Sequence, residues 1–406
     1  MVRHVLITGA SIAGNALAWW LGRNGFDVTV VERAPAFRDG GQNVDVRGAA
    51  RTVLERMGLL QAVQDNGTGE SGVRFVDQDG ATVAEFPLEE LGGDAFTAEL
   101  EILRGDLARL LYDGARAHAR YRFGDAIDGV ETTDAGARVR FDSGAQADYD
   151  LVLVAEGVGS STRERVFPGE NAPRWLDVTM GYFTIPKGAG DGDMARWYTA
   201  PGGRSVFLRP DRKGSTRAVL TLQGPAQGNE GLEPARQKAF LREHFTGAGW
   251  ETARVLEGME RADDFYFDVL RQVKMERWSN GRVALAGDAA WCTTPLGGVG
   301  ASLSLIGAYV LAGELCGRDG GGDADIGAAL AAYERIMRPF AEKGQDVPKF
   351  GPRLAQPHSR LGVHLQSALL HLASLPGLRT LVAKAVAGRA DEVDLPAYPA
   401  LRSAPA

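Results

Sequence analysis

Cysteine is nearly absent from this chain. Cys292 and Cys316 are the two in 406 residues. They build no disulfide framework and no metal site, and a reducing cytoplasm is the expected compartment. The six histidines offer no zinc pattern: His364 and His371 share a helical face, but two turns, about 10 Å, separate them. No metal is expected. Basic charge is not in excess either. Lys and Arg number 45 against 52 Asp and Glu, a formal net charge of −7, which argues against a nucleic-acid or anionic-membrane partner. No stretch reads as a membrane span. Residues 289–313 lack charge, but Pro295, two threonines and five glycines break them up, and 299–312 has the length of a buried helix. The N-terminus is too short and glycine-broken for a signal peptide. A Gly-x-Ser-x-Gly elbow is missing as well, which leaves hydrolase chemistry without support.

What remains is the composition of a globular enzyme, 44% hydrophobic and 24% charged, too long for one simple core. Residues 5–8 and 28–32 are short apolar strands around a helix at 13–23, with Gly25 at its C-terminal cap. A second helix covers 49–57. Segments 73–76 and 82–86 read as a hairpin turning at Asp79-Gly80. Residues 103–119 form a helix with Leu107, Leu110, Leu111 and Ala115 on one stripe, and 139–141 and 149–155 return to strand. From about 171 the texture changes to short strands (182–185, 195–199, 205–209, 218–223) between Gly/Pro turns, which predicts an inserted antiparallel sheet. Helical periodicity follows at 326–340 and again at 361–386, broken at Pro376-Gly377, and the last five residues read as frayed. The expected division is a discontinuous nucleotide-binding domain (1–72, 101–170, 268–344), a substrate domain (73–100, 171–267) and a C-terminal helical segment (345–406).

Two signatures from opposite ends of the chain carry the chemistry. The first, HVLITGASIAGNALAWWLGRNGFDVTVVER over 4–33, is a strand, a Gly-rich turn, a helix and a second strand ending in an acid. Gly9 makes the tight turn and Gly14 lets helix and strand approach. Ser11 stands at the usual middle glycine, small enough to leave a pyrophosphate room beside the helix-start amides of Ile12 and Ala13. Glu32 is placed to hydrogen-bond an adenosine ribose and repels a 2′-phosphate; Arg33 follows it. The second, GRVALAGDAAWCTTPLGGVGASLSL over 281–305, is a strand, Gly287-Asp288, and a Pro/Gly turn opening a helix. A nicotinamide enzyme needs only the first. Both together point to a long dinucleotide, FAD. No second Gly-x-Gly-x-x-Gly follows a strand, so no dedicated nicotinamide domain is expected.

On these motifs, and on three more at 40–48 (GGQNVDVRG), 101–107 (EILRGDL) and 150–157 (DLVLVAEG, then Ser160, Ser161 and Arg163), the chain resembles the FAD-dependent monooxygenases of the aromatic-hydroxylase, p-hydroxybenzoate hydroxylase-like type. The resemblance is greatest to their tetracycline-inactivating and polyketide-tailoring branch, and it spans roughly 3–345. It implies a Rossmann-like FAD domain with an inserted, mainly antiparallel substrate sheet and a C-terminal helix. It further implies FAD contacts from Asp45, Arg104, Asp288, Pro295, Gly298, Gly300 and Ala301, passage of the reductant NADPH or NADH past Arg38, and a C4a-hydroperoxyflavin that hydroxylates an electron-rich carbon. Glu156, Trp291 and Ser302 depart from the family's aspartate, histidine and asparagine, and Gly307 stands where an acid is common.

The helix opening at 298–302 puts its positive end at the flavin N1–C2=O edge, which favours reduction. No side chain is singled out as the catalyst; Arg47 is the one candidate. Tyr182, Trp197, Phe207 and Phe267 give the inserted sheet an aromatic bias, and an aromatic or polycyclic substrate with O₂ as co-substrate is the expected chemistry. A flavin-dependent dehydrogenase or reductase, a Baeyer–Villiger oxygenase and a non-catalytic flavin-binding protein are the alternatives. Halogenase chemistry lacks its Trp-x-Trp-x-Ile-Pro segment. Nothing in the sequence calls for more than a monomer.

Overall fold

The computed structural model describes residues 4–91, 100–133, 136–316, 326–348, 351–375, 377–378 and 394–404. Its base is a six-stranded sheet in the order Ser279–Asn280, Val283–Leu285, Leu151–Val154, His4–Thr8, Asp27–Glu32, Ala119–Phe123. Every pairing is parallel except the short edge strand Ser279–Asn280. Parallel strands are covered on both faces. That explains why Val5, Leu6, Ile7 and the whole of Leu151–Val154 are fully buried apolar residues rather than an alternating pattern.

Two helices with almost no charge pack on this sheet. Ile12–Arg23 buries nine of its twelve residues, including the edge-to-face pair Trp19 and Trp20. Gly300–Cys316 is buried without a break from Ser302 to Glu314. A helix apolar on all sides belongs in a core, and this is the uncharged run seen in the sequence. Among the described residues, no helix is long and apolar enough to cross a membrane.

The second layer is a seven-stranded sheet in the order Tyr266–Gln272, Arg174–Pro186, Ser215–Gln223, Arg204–Pro210, Ala195–Ala200, Gly72–Val76, Thr82–Pro87. It is antiparallel except at one seam, where Ala195–Ala200 runs parallel to Gly72–Val76 and joins the early hairpin to the inserted strands. The sheet runs to Gln272, past the expected limit at 267. Helices Pro234–Phe245 and Thr252–Arg261 cover one face, over a core of Phe183, Ile185, Val206, Leu220, Leu241, Phe245 and Met259. The other face turns to the nucleotide-binding layer. Arg209 grips Glu70 through two bonds of 2.8 and 3.1 Å, Lys213 meets Asp106 at 2.6 Å, and Gln272 donates to the Gln345 carbonyl at 2.8 Å.

After Gln345 the helix Arg360–Ala373 lies on the early hairpin, where Leu370 and Ala373 pack against Ala84 and Phe86. The expected helical stretch beyond 378 lies outside the described residues. Residues 394–404 then return to the nucleotide-binding layer, which corrects the frayed reading for 402–404; residues 405–406 lie outside the described residues. Leu401 is buried, Arg402 N–H donates to Asn24 Oδ1 at 2.7 Å, and Ala404 N–H donates to the Arg56 carbonyl at 2.8 Å. The anchor is Tyr398. Its ring fills a notch at Gly313, where an added Cβ would lie 2.2 Å from it, and its hydroxyl donates to Glu314 at 2.9 Å.

We expect Tyr398→Ala to lower stability by about 2–3 kcal/mol through lost packing, and Tyr398→Phe by about 1 kcal/mol through the lost hydrogen bond alone. Chemical denaturation with an unchanged m-value checks both.

Candidate flavin and substrate site

The first strand ends at Thr8, and the chain must reverse within Gly9 to start a helix. Gly9 has φ +96°, and a Cβ there would sit 2.4 Å from the Ala155 carbonyl oxygen. A Cβ on Gly14 would sit 1.9 Å from the Gly9 oxygen, so the helix lies directly on the turn. Glu32 closes the turn from the next strand: its two oxygens accept the Ala10 and Ala34 amides, both at 2.9 Å. Ser11 caps nothing with its hydroxyl. Instead its Oγ accepts from Arg104 Nη1 at 2.9 Å, while Arg104 Nη2 donates to the Gly40 carbonyl at 3.1 Å. Gly41, at φ +135°, leaves room for this guanidinium; a Cβ would stand 2.6 Å from its Nε.

The second signature folds onto the first. Gly287, at φ +59°, has no space for a Cβ because Ala13 would lie 2.8 Å away. Asp288 follows, its Oδ1 3.9 Å from where a Gly300 Cβ would be. Burial pushes its carboxyl up to about 6, the charge of Asp268 adds to this, and Arg104 opposes it. Burial also draws the Arg104 guanidinium down from its ordinary range, against the supporting charges of Tyr266, Asp288 and Glu32 and with Arg38 opposing. Between Asp288 and the helix, Thr293 is fully buried and Thr294 nearly so, and neither hydroxyl has a partner among the described residues. Thr294 is held at φ +66°, a strained conformation for a β-branched residue. Pro295–Gly297 and Gly298 then turn the chain so that the free amides of Gly300, Ala301 and Ser302 open the helix toward the same cleft. Ser302 does the asparagine's tying work: it accepts the Arg47 amide at 3.0 Å and donates to the Asp45 carbonyl at 3.2 Å. Arg47 pairs with Asp45 at 2.8 Å.

The expected dinucleotide residues thus converge on one cleft, except Arg33 and Arg38, which lie exposed at its rim. Orphaned hydroxyls at Thr293 and Thr294, helix-start amides, a guanidinium and a carboxylate make a donor set that fits FAD. Two departures resolve as structural. Glu156 receives Thr8, Ser160 and Thr162 hydroxyls at 2.6–2.8 Å and the Thr162 amide at 3.1 Å, clamping two strand ends to the short helix Ser161–Val166. Trp291 is a core side chain, packed on Trp278 and Tyr333 over the space that Gly307 leaves. Among the described residues no cluster of His, Cys, Asp or Glu could hold a metal.

Across the cleft, strand register sets Phe75, Trp197, Phe207, Val219, Tyr182 and Tyr266 in one transverse row. Phe267 is not in it. Its side chain points to the opposite face, where it meets Phe240 edge-to-face at 6.1 Å inside the helix-covered core. Tyr266 takes the place expected of it, because successive side chains alternate across a sheet. The register with Tyr182 decides which of the two neighbours faces the cleft. Phe75, like Thr293 and Thr294, was missed as a site residue; the TTPLGG run before the helix was the one sequence signal for the threonines.

This arrangement defines a flavoprotein of the oxygenase class. The model of the FAD binding domain family matches residues 3–346, and the chain belongs to that family. It is 36% identical to the FAD-dependent monooxygenase asL4 of Sarocladium schorii, over 98% of both chains. Among solved structures it is similar to the tetracycline destructase Tet(55), at 32% identity over 98% of this chain and 99% of the other, with a TM-score of 0.78. HpxO of Klebsiella pneumoniae, solved with FAD and uric acid, shares the fold at a TM-score of 0.75 and 20% identity, over 95% and 96% of the chains. The protein is an FAD-dependent monooxygenase with a nicotinamide reductant.

The raised Asp288 carboxyl favours the proton-bound folded state, so its contribution is present at low pH and lost as pH rises from about 4 to 6. For the chain without FAD, we expect stability to fall by up to roughly 3 kcal/mol across that window from this group, and Asp288→Asn to flatten the fall. Thermal unfolding against pH reads both. Gly9→Ala, strained in both φ and space, is expected to abolish the flavin absorbance of the purified protein.

Proposed function

We propose that this monooxygenase hydroxylates an aromatic or polycyclic small molecule held between the flavin and the aromatic row of the inserted sheet. The observation that carries the reading is that row, whose Tyr266 end lies within reach of the charges of Arg104 and Asp288. Kinship with proteins named tetracycline destructase supports the polycyclic form of the substrate.

When bound, FAD takes electrons from NADPH or NADH and activates O₂ for transfer to an electron-rich substrate carbon. The protein's part is placement. The turn from Gly9 to Gly14, with Ile12 and Ala13 at the helix start, receives the pyrophosphate. Glu32 keeps spare lone pairs for the adenosine ribose beside its two amide donors. Asp45, Arg104 and Asp288 would hold the ribityl chain and ring edge, and the stretch from Pro295 through Gly298 and Gly300 to Ala301 would border the ring. The helix dipole from Gly300 stabilises negative charge on the reduced ring. Arg47 orients Asp45 rather than acting on the substrate. Arg38 and Arg33 give the rim a cationic edge for a transient nicotinamide dinucleotide. Trp197, Phe207 and Tyr182 from the expected set, with Tyr266 in place of Phe267, stack on the substrate and exclude water. Two free cysteines suit a reducing cytoplasm.

The test is the visible spectrum of the purified protein, followed by anaerobic NADPH and then air with an aromatic polyketide. The expected result is bleaching, re-oxidation, and a product one oxygen heavier by mass. Reduction without oxygen incorporation into any such ring overturns the reading. Phe207→Ala is expected to raise KM for the ring substrate about tenfold, the loss of stacking and of buried apolar area, with FAD content unchanged.

A further inference from the structure

The acids near the cleft-facing side of the inserted sheet are nearly all engaged. Glu70 and Glu101 hold Arg209. Asp264 accepts the Thr184 amide at 2.9 Å and its hydroxyl. Asp211 takes the Lys213 and Ser215 amides at 2.8 and 2.9 Å. Asp268 differs. It sits on the strand Tyr266–Gln272, two residues from Tyr266 and therefore on the same face, opposite Met180 and against the Tyr182 pair. Its carboxylate receives the amide of Val269, and the charge of Arg271 reaches it, but among the described residues no side chain closes a hydrogen bond or ion pair with it. It is partly enclosed, and its charge is felt at Tyr182, Tyr266, Cys292 and Asp288, so it stands where the sheet meets the Gly-Asp turn. Of the two phenols near it, Tyr182 Oη donates to Met180 Sδ at 3.0 Å, and among the described residues Tyr266 makes no hydrogen bond to it.

A carboxylate partly withdrawn from water, with one backbone donor and no side-chain partner among the described residues, keeps lone pairs free for a ligand. We infer that Asp268 is a specificity-determining acceptor for a hydroxyl group on the substrate ring, so that the enzyme selects phenolic or enolic rings over their ethers. The inference rests on the proposed aromatic substrate. The neighbouring side chains on this face are the Tyr182 and Tyr266 rings, Met180 and Thr221, none of them charged. Among the described residues near them Asp268 is the anionic acceptor without a side-chain partner, and an alkylated oxygen has no proton to give it. Burial holds the Asp268 carboxyl above the usual carboxylate range, which strengthens it as an acceptor.

The experiment uses the FAD-loaded full chain and two probes, 2,6-dihydroxyanthraquinone, whose hydroxyls have no internal acceptor, and its dimethyl ether, with binding read by quenching of protein fluorescence. The wild type is expected to bind the hydroxylated probe at least roughly tenfold tighter, since a buried polar group left unpaired penalises the analogue that lacks its partner. Asp268→Leu, with its flavin spectrum intact, is expected to bring the two within about twofold, mainly by weakening the hydroxylated probe, because it removes the acceptor where an amide oxygen would still accept. Asp268→Glu, which keeps the acceptor, is expected to keep the preference and guards against a folding defect in the leucine variant. Equal binding of the two probes by the wild type, or a preference unchanged in Asp268→Leu, overturns this inference and leaves the aromatic reading standing. Failure of the wild type to bind either probe overturns the aromatic reading and this inference with it.

Discussion

Everything in the site depends on how closely two helix starts approach two strand ends. Gly9, Gly14 and Gly287 are the points of contact. A methyl group at Gly9 or Gly14 would overlap backbone oxygen at 2.4 or 1.9 Å, and one at Gly287 would press on Ala13 at 2.8 Å. Because none is present, the helix Ile12–Arg23 sits against the turn it grows from and the Asp288 turn sits against that helix. The amides that open Ile12–Arg23 and Gly300–Cys316 therefore line one cleft. Both are anion-seeking ends, and a dinucleotide with a negatively charged reduced ring is the ligand that uses both.

That convergence brings electrostatics that neither segment has alone. Arg104 is withdrawn from water beside Ser11 and Gly40, and Asp288 is withdrawn from water beside Gly300. Each is held in its charged form less firmly than it would be outside, which leaves both responsive to the groups a cofactor brings. The buried threonine hydroxyls at 293 and 294 and the strained backbone of Thr294 belong to the same region. Unsatisfied polar atoms and strain concentrated in one place are features that folding alone does not favour.

Much of this was legible in the residues. Strand, glycine turn and acid over 4–33 are local features, and a buried parallel strand or an uncharged core helix declares itself by composition. The tail was harder: RSAPA has no periodicity, and the placement of residues 402–404 comes from the Gly313 notch that receives Tyr398 and from backbone donors to Asn24 and Arg56. Phe267 was misjudged for a related reason. Alternation says that Tyr266 and Phe267 face opposite ways, but which one faces the cleft depends on pairing with Tyr182 in a strand more than eighty residues away.

By itself the sequence determined the cofactor class, since spacing and residue size along a short stretch decide whether a turn can cradle a dinucleotide. It also determined that a second, mostly antiparallel sheet exists. Tertiary structure alone decided which face of that sheet carries the aromatic row, that Glu156 and Trp291 are structural, and that Asp268 lies near Asp288 with no side-chain partner among the described residues. The physical reason is range. Backbone turns and helix starts are written in neighbouring residues, whereas register, burial and the satisfaction of a charge are set by chain segments that meet only when the fold closes.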